Sequence, residues 1–178
     1  MASDTERSSP GRSWTAKDWI QGRPMRRPTH PILVIFPIAF MSGALLLDGL
    51  SRTGLVGGPL AATYAVAGAV IGAVFAVLTG LLERSDMRPG SRIHRMATKH
   101  MIIQLTASAL FVIDLAVRWG GRHHAKADVL WIVLDALAVA TVVVGGDVGG
   151  QMVFRMGYRV ASGAPQPPDE SGSSAAQT

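Results

Sequence analysis

Four apolar runs dominate the chain, at about 31–50, 59–82, 100–117 and 129–150. Each is continuous rather than alternating and close to the ~20 residues that carry an α-helix across ~30 Å of hydrocarbon. In lipid only helices or closed barrels satisfy every backbone N–H and C=O. The absence of a two-residue alternation selects helices. Ser91 is placed as the N-cap of the third helix, which extends that element to 92–118. The pattern thus predicts an all-α, four-helix transmembrane bundle over 30–160. A polar basic tail precedes it at 1–29, and a Ser-, Gly-, Pro- and Ala-rich tail over 161–178 is expected to be disordered.

Charge adds orientation. The 17 Lys and Arg against 12 Asp and Glu are crowded into the ends and connectors, not dispersed. One side of the membrane receives Arg7, Arg12, Lys17, Arg23, Arg26 and Arg27, then Arg84, Arg88, Arg92, Arg95 and Lys99, then Arg155 and Arg159. The other receives Arg52, Arg118, Arg122 and Lys126. The richer side is expected to be cytoplasmic, with both termini there, in a bacterial inner membrane. The same segregation argues against a nucleic-acid partner and for the lipid bilayer. Trp14 and Trp19 are expected at headgroup level. No apolar stretch precedes a small-residue cleavage site in the first 30 residues, so no cleavable signal peptide is expected. With no cysteine, thiolate catalysis and Cys-based metal sites in this chain are excluded.

Small residues recur every fourth position in the second helix (Gly68, Gly72, Ala76, Gly80). In the fourth, Gly145 pairs with Gly149 and Gly146 with Gly150. This spacing lets helices approach closely, within the fold or in a homodimer. Pro37 leaves the Leu33 carbonyl without its helical donor and predicts a kink in the first helix. His30, followed by Pro31, is expected as its N-cap. The third helix carries a polar stripe of His100, Gln104, Ser108, Asp114 and Arg118, which should face the bundle interior. Asp114 and Arg118, at i and i+4, are expected to pair. Depth sorts the remaining polar groups into two mixed-sign layers. One holds His30, Glu83, His94, His100, Asp147 and Arg155; the other holds Asp48, Arg52, Asp114, Arg118, Asp128 and Asp135.

The segment HPILVIFPIAF from His30, the connector RPGSRIHRMATKH and the closing GGDVGGQMVFRMGYRV resemble a domain-of-unknown-function family of small bacterial four-helix membrane proteins. The resemblance covers about 29–160. His30 and His100 match its two recurrent histidines. Glu83, Arg84 and Phe154 depart from its usual Asp, aromatic residue and Tyr. Relatives fused to Rieske iron–sulfur domains imply a link to membrane electron transfer.

Three functions fit. One is a non-enzymatic membrane component, accessory to redox or respiratory machinery and held by a protein partner. No nucleophile elbow, P-loop, HExxH or dinucleotide fingerprint is present. The second is a b-type haem with His30 and His100 as axial ligands, its propionates met by Arg26, Arg27 or Arg155. A metal ion on His30, His100 and Asp147, with Glu83 nearby, is a variant. The third is a proton or solute path through Asp48, Gln104, Ser108, Asp114 and Asp135. Against the second stands a purely structural role, in which His30 caps its helix and bonds His100 or Asp147. His123 and His124 are expected to be a solvated connector pair.

Overall fold

The computed structural model describes residues 13–25 and 27–159. Arg7, Arg12 and Arg26 of the basic tail, and the 161–178 segment expected to be disordered, lie outside the described residues.

The described chain is helical, with α1 Ala16–Ile20, α2 Thr29–Leu33, α3 Ile35–Thr53, α4 Leu60–Arg84, α5 Arg92–Arg118, a 3-10 turn at Trp119–Gly121, and α6 Val129–Phe154. Four stretches are long and apolar enough to cross a membrane, with α2 and α3 together forming the first. The protein is a multi-pass membrane protein. α3 packs on α4 and α6, and α5 packs on the same two, so the spans close into a ring.

The first span divides at Val34, between α2 and α3, where the Ile38 N–H reaches the Val34 carbonyl only at 3.4 Å. Pro37 is the cause, since it has no N–H for the Leu33 carbonyl. Its ring fills the space over Gly72, where an added Cβ would stand 2.9 Å from Pro37 Cδ. The cap expected at His30 is corrected. Pro28 is the N-cap, with extended backbone angles, and His30 lies inside the first turn, so its ring is free to reach α4. Ser91 caps α5 as expected, accepting from the His94 N–H at 3.2 Å. α6 runs past the expected end at 150 to Phe154, because Gly149 and Gly150 lie within a helix that its neighbours support.

The central core is built largely of alanine. Ala44, Ala62, Ala69, Ala73, Ala107 and Ala138 surround Met41, Val66, Phe111 and Val142. Large apolar side chains point outward instead, with Ile71, Phe75, Ile102, Leu137 and Val143 all more than half exposed. That inversion suits lipid, where bulky side chains gain nothing by burial and small ones let backbones approach.

The first and last described residues lie at one end of the bundle. α1 docks there on the α4–α5 connector. Thr15 and Asp18 form a capping box that starts this short helix. Lys17, Gln21 and Arg23 then converge on Asp86, at 2.5, 2.6 and 2.7 Å. Gly22, at φ +69°, makes the turn back. A Cβ there would meet the Arg27 carbonyl oxygen at 1.9 Å, so only glycine fits. Burial pushes the Asp86 carboxyl up, but its bonds to Lys17, Gln21 and Arg23 outweigh that and hold it below the usual carboxylate range. Trp14 and Trp19 remain exposed beside this contact.

Candidate functional site

His30 and His100 come together at the end of the bundle where α1 docks on the α4–α5 connector. Their ring centroids are 6.4 Å apart and their planes nearly perpendicular, at 89°. His30 Nδ1 lies 3.0 Å from the Ala76 carbonyl oxygen of α4, with Thr79 Oγ1 at 3.2 Å. His100 Nδ1 lies 2.8 Å from the Gly145 carbonyl oxygen of α6. A carbonyl can only accept, so each Nδ1 carries the hydrogen and each Nε2 keeps its lone pair. Neither histidine bonds the other or Asp147, as the structural alternative expected.

The two placements repeat one another. Each imidazole is carried by the first helix of a hairpin and bonds a carbonyl on the second, 46 residues on for His30 and 45 for His100. Each ring also rests on the glycine four residues beyond that carbonyl. A Cβ on Gly80 would stand 2.9 Å from His30 Cε1, and one on Gly149 would stand 3.0 Å from His100 Cε1. The α2–α4 and α5–α6 halves therefore hold their histidines by the same device. The sequence contained the signal, a histidine followed about 45 residues later by a small-x-x-x-Gly step, but its helix-by-helix reading did not align the two halves.

The other expected residues divide. Gly145 supports Gln104, whose Cδ a Cβ would meet at 2.8 Å, while Gly146 and Gly150 meet no other helix of this chain. Gly68, Gly72 and Gly80 take Phe40, Pro37 and His30, so the α4 stripe is used inside the fold. Asp147 does not join the histidines: it is exposed and accepts from Gln151 at 2.7 Å. Glu83 is buried and faces Arg159 at 3.8 Å. Among the described residues no group of three or more His, Cys, Asp or Glu is arranged to hold a metal ion. The His30–His100–Asp147 metal set is therefore not assembled. His124 is not simply solvated either: it stacks on Trp131 with centroids 5.8 Å apart.

At the opposite end a second assembly forms. Arg118 is fully enclosed and contacts three enclosed carboxyls: Asp48 at 2.9 Å, Asp114 at 2.8 Å and Asp135 at 3.0 Å. The i, i+4 pairing of Asp114 with Arg118 is present. Asp48 from α3 and Asp135 from α6 reach the same guanidinium, which the one-dimensional pattern does not show. Trp131 covers Arg118 at 5.6 Å. Ser51 accepts from the Ala127 N–H at 3.0 Å, and Arg52 donates to the Ala127 carbonyl at 2.8 Å, tying α3 to the start of α6. Asp128 caps α6.

No curated protein and no solved structure matches the chain. A family model described as a predicted membrane protein, DUF2231, matches residues 26–162, which takes in all four spans, both histidines and the Arg118 cluster. The chain is accordingly a member of the DUF2231 family of membrane proteins.

Proposed function

We propose that this protein is a redox component of a bacterial inner membrane whose His30 and His100 bind one b-type haem at the cytoplasmic face. The observation that carries the proposal is the matched pair of imidazoles, each with Nδ1 tied to a backbone carbonyl and Nε2 without a hydrogen bond among the described residues. A histidine that ligates a metal commonly donates its other ring hydrogen to a carbonyl, which fixes tautomer and ring orientation. Two imidazoles on one ion have centroids roughly 6 Å apart, given metal–nitrogen distances of about 2.0–2.1 Å. The 6.4 Å found matches that centroid spacing. A bare ion wants about four protein ligands, and no third joins these two, whereas a haem iron needs only two axial ones. Haem would supply one-electron chemistry. The chain's own part is to orient both rings on Gly80 and Gly149 and to offer exposed Arg27 and Arg155 to the propionates. The cytoplasmic placement rests on the thirteen Lys and Arg assigned to that side against four on the other.

The test is an absorption spectrum of protein purified in mild detergent after haem-supplemented expression, oxidised and then reduced with dithionite. A Soret band lost in both His30→Ala and His100→Ala is the expected result. A protein that folds and shows no Soret band overturns the haem assignment, and a stoichiometric metal ion without haem would replace it.

A further inference from the structure

Asp48, Asp114, Asp135 and Arg118 are each fully enclosed within the bundle. Three ionised carboxylates around one guanidinium would leave two net negative charges where neither water nor lipid headgroups screen them. Among the described residues, other charged groups at this end are turned elsewhere. Arg52 donates to the Ala127 carbonyl, Arg122 to the Trp119 carbonyl, and Lys126 and Asp128 are exposed on the connector. The titratable groups of α4 are Tyr64, 59% exposed, and Glu83 and Arg84 at the far end. His124 stacks on Trp131, the ring that covers Arg118, rather than on a carboxyl.

The oxygens point the same way. Asp48 Oδ1 and Asp135 Oδ2 are buried and accept no hydrogen bond from the described residues. Asp114 and Asp135 meet on one nitrogen, Arg118 Nη2, at 2.8 and 3.0 Å, so their carboxyls adjoin. A proton on one carboxyl turns an orphan acceptor into a donor, satisfies a second oxygen and removes a surplus charge. A metal cation would need three oxygens turned toward a common point, and among the described residues no such group is assembled.

From these contacts we infer that the Asp48–Asp114–Asp135 cluster around Arg118 is a proton-binding site, which keeps at least one carboxyl protonated at neutral pH. Its ligand is the proton itself. The site is independent of the haem proposal, since Asp48 lies about 27 Å along the helix from His30 at 1.5 Å per residue.

Infrared spectroscopy of the full-length protein in lipid vesicles at pH 7 tests it. The carbonyl stretch of a protonated carboxylic acid is expected, shifting in D2O. Asp114→Asn/Asp135→Asn leaves Asp48 and Arg118 as a neutral pair, and the cluster's band should then vanish. Glu83→Gln identifies any separate contribution from Glu83. Should the double variant fail to fold, the single changes Asp48→Asn, Asp114→Asn and Asp135→Asn take its place, and the band should weaken or move in at least one. No protonated carboxyl in the wild type overturns the inference. So does a band that survives every Asp→Asn change, or one that appears only when sodium or potassium is withdrawn, which would make the ligand a monovalent cation.

Discussion

Replacing Arg118 by Met strips three enclosed carboxyls of their shared partner. Breaking a buried pair from one side typically costs about 3–5 kcal/mol. That loss should appear as a large fall in the unfolding midpoint in detergent. Asp135→Asn replaces a carboxyl by its neutral isostere and leaves two carboxyls on Arg118, so its cost should be the smaller of the two by a clear margin. Equal losses would mean that the carboxyls are all ionised and all needed. The glycines under the histidines make a second contrast. Gly80→Ala or Gly149→Ala places a Cβ at 2.9 or 3.0 Å from an imidazole, so the ring must shift and strain its bond to the carbonyl. Overpacking of this kind costs about 1–3 kcal/mol, and any Soret band should weaken with it. Gly146→Ala meets nothing within this chain and should instead gain up to about 1 kcal/mol of helix propensity. A marked loss there would reveal a partner helix on that face.

Among the elements, the broken first span positions His30. Pro37→Ala restores a donor for the Leu33 carbonyl and should straighten α2 onto α3. Straightening swings His30 away from Ala76 and Gly80, a change visible as lost histidine-dependent absorbance with helicity kept or raised. The α1 latch behaves differently, because it lies outside the membrane-spanning segments and is held by charge. Asp86 has a folded pKa below its unfolded value. Its contribution is therefore complete above the ordinary carboxylate pKa of about 3.9, and is lost as pH falls through the lower folded value. Both partners are partly exposed, so each ion pair is worth only about 0.2–1 kcal/mol. Tryptophan fluorescence from Trp14 and Trp19 should be constant at neutral pH and change on acidification. Asp86→Asn should show the released signal already at pH 7.

For the whole molecule the open quantity is its direction in the membrane. The chain has no cysteine, so single probes report cleanly. Thr53→Cys, at the Arg118 end, should label from outside intact cells with an impermeant thiol reagent, and Ser85→Cys, at the histidine end, should not. The reverse pattern would place the termini and both histidines outside. The molecule also divides along its axis. The edge contact of His30 with His100 brings the two hairpins together at one end, and four charged side chains from three spans join them at the other. Between these lies a core mostly of alanine, narrow enough for the hairpins to touch.

Number of spans, their class and their approximate limits were legible in the sequence, because lipid forces each crossing to satisfy its backbone alone. A local pattern then carries the whole signal. Pro37 announced its break for the same reason, as did the Ser91 cap and the Asp114–Arg118 pair, all effects that act within one or two turns. The sequence could sort polar residues by depth but not by azimuth between helices. Rotation of each helix about its axis is set by which small residues meet which bulky ones, a property of two surfaces at once. So only the tertiary structure decided that His30 and His100 face each other on matched glycines, that Asp48 and Asp135 share Arg118, and that Asp147 joins neither group.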